Sequence, residues 1–397
     1  MIDKITVLSI VLTAFFVSLL AYPLVLRFAK EHNIMDNPDM RKLQRKPVPV
    51  MGGMVVFLGI TAAMLIASRY LSFAPFLRGF ICMAIMFMVG VWDDIKNVPP
   101  TLRFIIEIMV VYAMMSSYDG GIQNLRGLWG IGSLSMYWSL PLSIVAGVGI
   151  INAINLIDGV DGYSSGFCIV ASLLFAGLFY YVKEISMCIF ALIGASALVP
   201  FFLHNLFGMK SKMFIGDSGT LMMGTAMILY VFVCLSNRTR CAIMESKGLC
   251  LVAFTLAVLA IPVFDTLRVM GARILRGQSP FQADKTHLHH LFIDMGFSHI
   301  GTTAFIVLSN VMIVVILLVS WKLGASFEVQ LYIVIALGIM STFGFYQFMR
   351  LQQRRNSGIY GFFCKLGKIS HIERDGFWLF MRNLMDGRLV KKNISEN

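Results

Sequence analysis

The sequence predicts an all-α polytopic membrane protein of about eleven transmembrane helices, N-terminus outside and C-terminus cytoplasmic. Three observations carry this prediction. Hydrophobic residues make up 58% of the chain and charged residues 14%, against roughly 45 to 50% apolar content in soluble domains. The apolar residues are gathered into runs near the 17 to 25 residues that cross a bilayer. Finally, Lys and Arg are unevenly distributed between alternate loops, as the positive-inside rule requires.

The runs lie near residues 5–28, 50–70, 75–91, 101–116, 138–157, 165–182, 186–204, 218–236, 249–271, 302–322 and 329–349. The first is too long for a signal-peptide core and is followed by Arg27, Lys30, Arg41, Lys42, Arg45 and Lys46, which makes it a retained span. With this orientation, 24 of the 33 Lys and Arg fall on the cytoplasmic side or its boundary. The net charge of +12 is thus mainly a topology signal, and nucleic-acid binding has no other support. The seven cysteines include no Cys-x-x-Cys pair, so neither a disulfide framework nor a cysteine metal site is indicated. No internal repeat divides the chain, and residues 1–349 read as one membrane domain. Residues 350–397 form a tail mixing Arg and Lys with Phe362, Phe363, Phe377, Trp378 and Phe380, a composition suited to the cytoplasmic membrane surface.

The polar clusters all fall on the predicted cytoplasmic side. Asp36 to Lys42 precede the second run and Asp93-Asp94 follow the third. Asn152, Asn155, Asp158 and Asp161 break out at the end of the fifth. His204-Asn205 and Gly216-Asp217-Ser218-Gly219 flank the loop after the seventh, and Arg273, Arg276, Lys285, His287, His289 and His290 follow the ninth. Ionisable residues at a membrane boundary need partners or a function. Five loops on one face therefore point to one site. Caps and turns facing water would be the bland account of the 151–163 stretch, since Asp158-Gly159 and Asp161-Gly162 are turn dipeptides.

These residue types suit phosphate chemistry. Asp93-Asp94 and Asp217 are hard oxygen donors of the kind Mg²⁺ takes together with substrate phosphates. Arg273, Arg276, Lys285 and the histidines offer positive charge and donors for phosphate oxygens. A His-x-His-His run also admits zinc. Within the apolar runs, Asp265 and Arg268 stand at i, i+3 and can satisfy each other, Glu107 is a further buried acid, and His204 reads as an interface histidine.

The ordered set Asp93-Asp94, Asn152-Ala153-Ile154-Asn155-Leu156-Ile157-Asp158-Gly159-Val160-Asp161-Gly162, Phe214-Ile215-Gly216-Asp217-Ser218-Gly219-Thr220 and His287-Leu288-His289-His290 resembles the polyprenyl-phosphate N-acetylhexosamine-1-phosphate transferases, over residues 20 to 320. Arg273 to Phe281 and the His-Leu-His-His form resemble the WecA-like branch rather than the peptidoglycan-specific MraY branch. The resemblance implies transfer of a sugar 1-phosphate, by default N-acetylglucosamine 1-phosphate, from a UDP-N-acetylhexosamine to undecaprenyl phosphate, with release of UMP. It also implies an inner-membrane enzyme that starts a cell-envelope polysaccharide, with Mg²⁺ (or Mn²⁺) as cofactor, and is compatible with a homodimer.

By the same resemblance Asp217 carries the metal with help from Asn155. Asp93 and Asp94 lie beside the reacting phosphates, and Asp158 and Asp161 join them as catalytic candidates. Asn152, Lys42, Arg273, Arg276, His287, His289 and His290 are the candidate substrate-binding residues. One departure stands out: Arg41-Lys42-Leu43-Gln44 has Gln where the family usually has His. Mechanistically, the lipid phosphate would attack the β-phosphorus directly. Its second pKa near 6 leaves it largely ionised at pH 7, so Asp93 need only take a residual proton, and direct displacement is preferred to a covalent aspartyl intermediate. The alternatives are an MraY-type phospho-MurNAc-pentapeptide transferase, a secondary transporter of an anion, which should show repeat symmetry and broken mid-membrane helices, and a membrane phosphatase or purely structural scaffold.

Overall fold

The computed structural model describes residues 3–38, 46–71, 74–116, 120–237, 239–279, 285–373 and 376–393. Apolar sequence and capping residues dictate its helices. α1 (Lys4–Glu31) starts at Asp3, whose carboxylate accepts from Thr6 N, and Pro100 opens α4 (Pro100–Met115) from its first turn, where its missing N–H costs nothing. Between them lie α2 (Gly52–Ala67) and α3 (Ala74–Lys96). Four longer helices follow: α5 (Met136–Leu156), α6 (Tyr163–Tyr181), α7 (Ile185–Phe207) and α8 (Gly216–Leu235). After the short α9 (Ile243–Ser246) come α10 (Leu251–Val258) and α11 (Ala260–Leu275), then α12 (Leu288–Asp294) and α13 (His299–Lys322). A π segment, Met340–Gly344, joins α14 (Phe327–Ile339) to α15 (Phe345–Arg354), and α16 (Gly358–Ile369) and α17 (Gly376–Asn393) close the chain. The only sheet among the described residues is a two-residue antiparallel pair, β1 (Met35–Asp36) with β2 (Val48–Pro49).

α8 is the axis of the bundle, buried along nearly its whole length against α3, α5 and α2. The outward faces are apolar: Ile5, Leu20, Leu24, Leu65, Met88 and Val145 are all exposed. A continuous apolar exterior of this kind belongs in lipid. Trp129, Tyr137, Trp138, Tyr180 and Tyr181 are exposed at one end of the bundle, the position of an interfacial aromatic belt. The protein is therefore an all-α, multi-pass membrane protein. Seven of the described helices are long and apolar enough to cross a bilayer, or eight with one bent pair joined, against the eleven runs of the sequence. α2 and α4, at 16 residues each, and the two pieces of the broken α10–α11 are each shorter than a straight bilayer crossing.

The break at Leu259 has a physical cause. Pro262 has no N–H to donate to the carbonyl one turn back, so the hydrogen-bond ladder is interrupted here. Freed backbone groups in a membrane must be satisfied internally. Asn310, buried on α13, does this: its Nδ2 donates to Val258 O (2.9 Å) and Ala257 O (3.3 Å), while its Oδ1 accepts from Ile261 N (2.9 Å).

Candidate active site

One end of the bundle opens into a cleft of about 1020 Å³. The C-terminal ends of α1, α3, α5, α7 and α11 reach it, as do the N-terminal ends of α2, α4, α6, α8 and α13. Asp93, Asp94, Asn155, Asp158, Asp161, Asp217, Arg273, His287, His289 and His290 all line it. Residues spread over almost two hundred positions of chain thus converge on one space, as expected from their placement on one face.

Asp94 has a different task from the others. Its two carboxylate oxygens accept from Asp217 N (2.8 Å) and Ser218 N (3.1 Å), capping the N-terminus of α8 from the neighbouring helix. Such a cap satisfies otherwise orphaned N–H groups and places negative charge at the positive end of the helix dipole. Gly216, at φ +72°, is required here: a Cβ would lie 2.5 Å from the Asp94 carboxylate. Gly90 lets α3 approach, since its Cβ would fall 2.3 Å from Ser218 Cα. The Gly-Asp-Ser-Gly motif and the Asp pair are therefore one structure, with Asp94 holding Asp217 in place.

Asp217 is held by Asn155, whose Nδ2 also donates to Thr220 Oγ1 (2.9 Å). Asp93 is its electrostatic neighbour. Asp93 accepts from Val98 N (2.8 Å) and Arg103 (3.1 Å), and Arg103 lies 3.5 Å from Glu107. Glu107 in turn accepts from Asn152 Nδ2 (2.5 Å). Asn152 is thus engaged between helices and is not among the residues lining the cleft.

The Asp158 carboxylate accepts from Ser164 and is open to the cleft while enclosed by protein. Burial pushes it up to about 7, with Asp217 and Asp161 adding to the rise and the Ser164 hydrogen bond opposing it. Asp161 behaves oppositely. Burial raises its carboxyl, but His299 and Lys212 outweigh that and hold it below the usual range. Both partners approach Asp161 Oδ2 at 2.5 Å, so this carboxylate ties α6 and α13 to the α7–α8 loop rather than standing free.

The histidines come from the start of α12. Asp265 accepts from Arg268 (2.6 Å), from Leu288 N (3.1 Å) and from His287 Nδ1 (2.9 Å). The Asp265–Arg268 pair expected from spacing therefore also fixes His287 as an Nδ1 donor, leaving its buried Nε2 without a hydrogen-bond partner. His289 packs so closely on the Asp158 turn that a Cβ on Gly159 would lie 2.2 Å from its Nε2. Burial, then His290 and His287, hold the His289 ring well below the usual imidazole range. Arg273 is buried in the cleft wall, whereas Arg276 caps the exposed end of α11 away from the cleft. The Lys42 and Gln44 expectations lie outside the described residues.

The cleft includes Asp36, from the first of the polar clusters, and adds Arg103, Lys212 and His299, which the motif reading did not select. The available signal was position: Lys212 and His299 both stand in loops on the predicted cytoplasmic side. His204 is buried, stacked on Tyr22 at 4.0 Å, as an interface histidine.

The donor set fits a hard divalent cation. Asp217 and Asp93 bring carboxylate oxygens together beside the Asn155 amide, with Arg103 paired to Asp93. Among the described residues no three His, Cys, Asp or Glu side chains form a closed metal cage. A Mg²⁺ ion held by one or two carboxylates and completed by phosphate oxygens needs none.

Fold and cleft together define a helical membrane protein that gathers carboxylates, histidines and an arginine into one cleft at one end of its bundle. The family model of glycosyl transferase family 4 matches residues 76–236. The chain is 27% identical over 297 residues to the "probable undecaprenyl-phosphate N-acetylglucosaminyl 1-phosphate transferase" of Bacillus subtilis, covering 73% of this chain and 79% of that one. It is 26% identical to the undecaprenyl-phosphate alpha-N-acetylglucosaminyl 1-phosphate transferase of Escherichia coli K12 (68% and 72% covered) and 27% identical to that of Yersinia pestis (67% and 71%).

Proposed function

We propose that this protein transfers N-acetylglucosamine 1-phosphate from its UDP derivative to undecaprenyl phosphate, releasing UMP and starting a cell-envelope glycan. The observation that carries the reading is the gathering of Asp93, Asp158 and Asp217 with Arg273, His287, His289 and His290 in one cleft. A reaction joining a lipid phosphate to a nucleotide diphosphate must bring several negative charges into line, and positioning with charge neutralisation is most of what such a site has to supply.

Asp217, with Asn155 beside it, would hold the Mg²⁺, which when bound offsets the phosphate charge. Asp94 keeps Asp217 aimed by capping α8. Asp93 stands beside Asp217 to accept any residual proton of the lipid phosphate. Arg273 offers donors to the diphosphate beside His287, and His289 packs against the Asp158 turn. Undecaprenyl phosphate reaches such a site from the bilayer in which the apolar exterior sits, so acceptor and enzyme share one phase.

The proposal includes eleven crossings with the N-terminus outside, an inner-membrane location, a cleft facing the cytoplasm, and a tail on that membrane surface. The alternation of helix ends at the cleft supports the count: odd-numbered crossings arrive there and even-numbered ones leave. It also extends to a homodimer, checked by native mass of the purified protein. A test of substrate choice is a panel of UDP-sugars presented with undecaprenyl phosphate in vesicles. UDP-N-acetylglucosamine should yield UMP fastest; faster release from another UDP-hexosamine would change the donor, and unaltered nucleotide sugar crossing the membrane would favour transport.

A further inference from the structure

The carboxylate of Asp161 is gripped by Lys212 from the α7–α8 loop and by His299 from the start of α13. Each gripping residue directly follows a residue tied down by the C-terminal segment. Asp386 on α17 accepts from Ser211 N (3.0 Å) and Ser211 Oγ (2.9 Å), and from the backbone N–H groups of Met209 (3.2 Å) and Lys210 (3.1 Å). One carboxylate thereby collects the donors of a whole turn, the arrangement that makes charge-assisted hydrogen bonds strong. Tyr22 OH donates to Ser211 O (2.7 Å) from the other side. Trp378 and Met385 seat α17 by packing on Phe207, the Phe207 and Trp378 rings lying 4.5 Å apart.

The second tie is at the end of α16. Ser370 Oγ accepts from Ser298 N (2.9 Å), and Ser370 O accepts from Ser298 Oγ (2.6 Å). Ser298 is itself the N-cap of α13, accepting from Gly301 N. α16 also lies close on the turn before it, since a Cβ on Gly367 would be 2.7 Å from Met295 O.

We infer that the C-terminal segment is a positioning clamp for the cleft: Asp386 sets Lys212, Ser370 sets His299, and together they fix the Asp161 turn. Two hydrogen-bonded attachments, on different helices and each next to a partner of the same carboxylate, are more than a tail needs merely to dock on a surface. The effect on turnover rests on the transferase reading, whereas the effect on Lys212 does not.

The test uses the full-length protein in lipid nanodiscs, with Asp386→Asn, Asp386→Glu, Ser370→Ala and, as a control in the same tail, Lys365→Gln. Acylation of Lys212 by a soluble amine reagent, read by mass spectrometry, reports its grip on Asp161, and UMP release reports turnover. Loss of a charge-assisted hydrogen bond should speed Lys212 acylation roughly tenfold in Asp386→Asn and lower kcat/KM to a similar degree. Asp386→Glu should recover most of both, and Lys365→Gln should match wild type. Unchanged acylation in both Asp386→Asn and Ser370→Ala would overturn the clamp. If Asp386→Asn fails to fold, Ser370→Ala decides through His299, whose modification by diethyl pyrocarbonate should speed up in that variant if the clamp holds; an unchanged rate would overturn it. A wild type that releases no UMP would sink the transferase reading while the Lys212 measurement still judged the clamp.

Discussion

Asp94 and Asp217 show one residue type put to two uses by its surroundings. Asp94 gives both oxygens to backbone N–H groups of α8, while Asp217, held by Asn155, faces the cleft. Replacing Asp217 with Asn should therefore abolish turnover and flatten the Mg²⁺ titration with the fold retained; near-normal activity with an unchanged titration would remove Asp217 from the metal site. Asp94→Ala should act through stability as well, because an N-cap lost to Ala costs about 0.5 to 2 kcal/mol, read as a lowered Tm. His289→Ala should weaken UDP-sugar binding by disturbing the Asp158 turn while leaving the apparent Mg²⁺ affinity largely intact; isothermal titration of both ligands separates the two effects. The pairing of the Asp-Asp and Gly-Asp-Ser-Gly motifs was not legible in the sequence, since spacing does not reveal that α3 ends against the start of α8. Lys212 and His299 were missed for the same reason: each is a lone basic residue whose meaning comes from the carboxylate that packing brings to it.

At the scale of elements, membrane helices were legible wherever an apolar run was long, because hydropathy is a property of the segment itself. The break between α10 and α11 was not. The run 249–271 reads as one span, and only Pro262 hints that the backbone must open there. Asn310, 48 residues beyond Pro262, closes the hydrogen-bond account of that break. Asn310→Leu should leave Ile261 N and the Val258 carbonyl unsatisfied at a cost of about 1 to 3 kcal/mol. Thermal unfolding in detergent should show the loss, and an unchanged Tm would mean that other groups satisfy the break. The cleft motifs were legible for another reason: polar residues at the ends of apolar runs stand out against 58% hydrophobic sequence, and their shared side follows from counting runs.

For the molecule as a whole, the central arrangement is one cleft at one end of the bundle, with the aromatic belt at the other. A cysteine at Lys96 should react with a membrane-impermeant thiol reagent only after cells are opened, and one at Gly132 should react in intact cells whose outer face is accessible; the reverse pattern would invert the topology. The native cysteines give little background, six being buried and Cys364 partly so. Turnover itself is tested most directly with UDP-N-acetylglucosamine carrying tritium in the sugar and radiophosphorus at the β position, incubated with the protein and undecaprenyl phosphate. Sugar 1-phosphate transfer should carry both labels into the organic phase in equal amounts, with one UMP released per lipid product and none formed by Asp217→Asn. Tritium entering the lipid without the β-phosphorus, or both labels staying in the aqueous phase with active acceptor present, would contradict it.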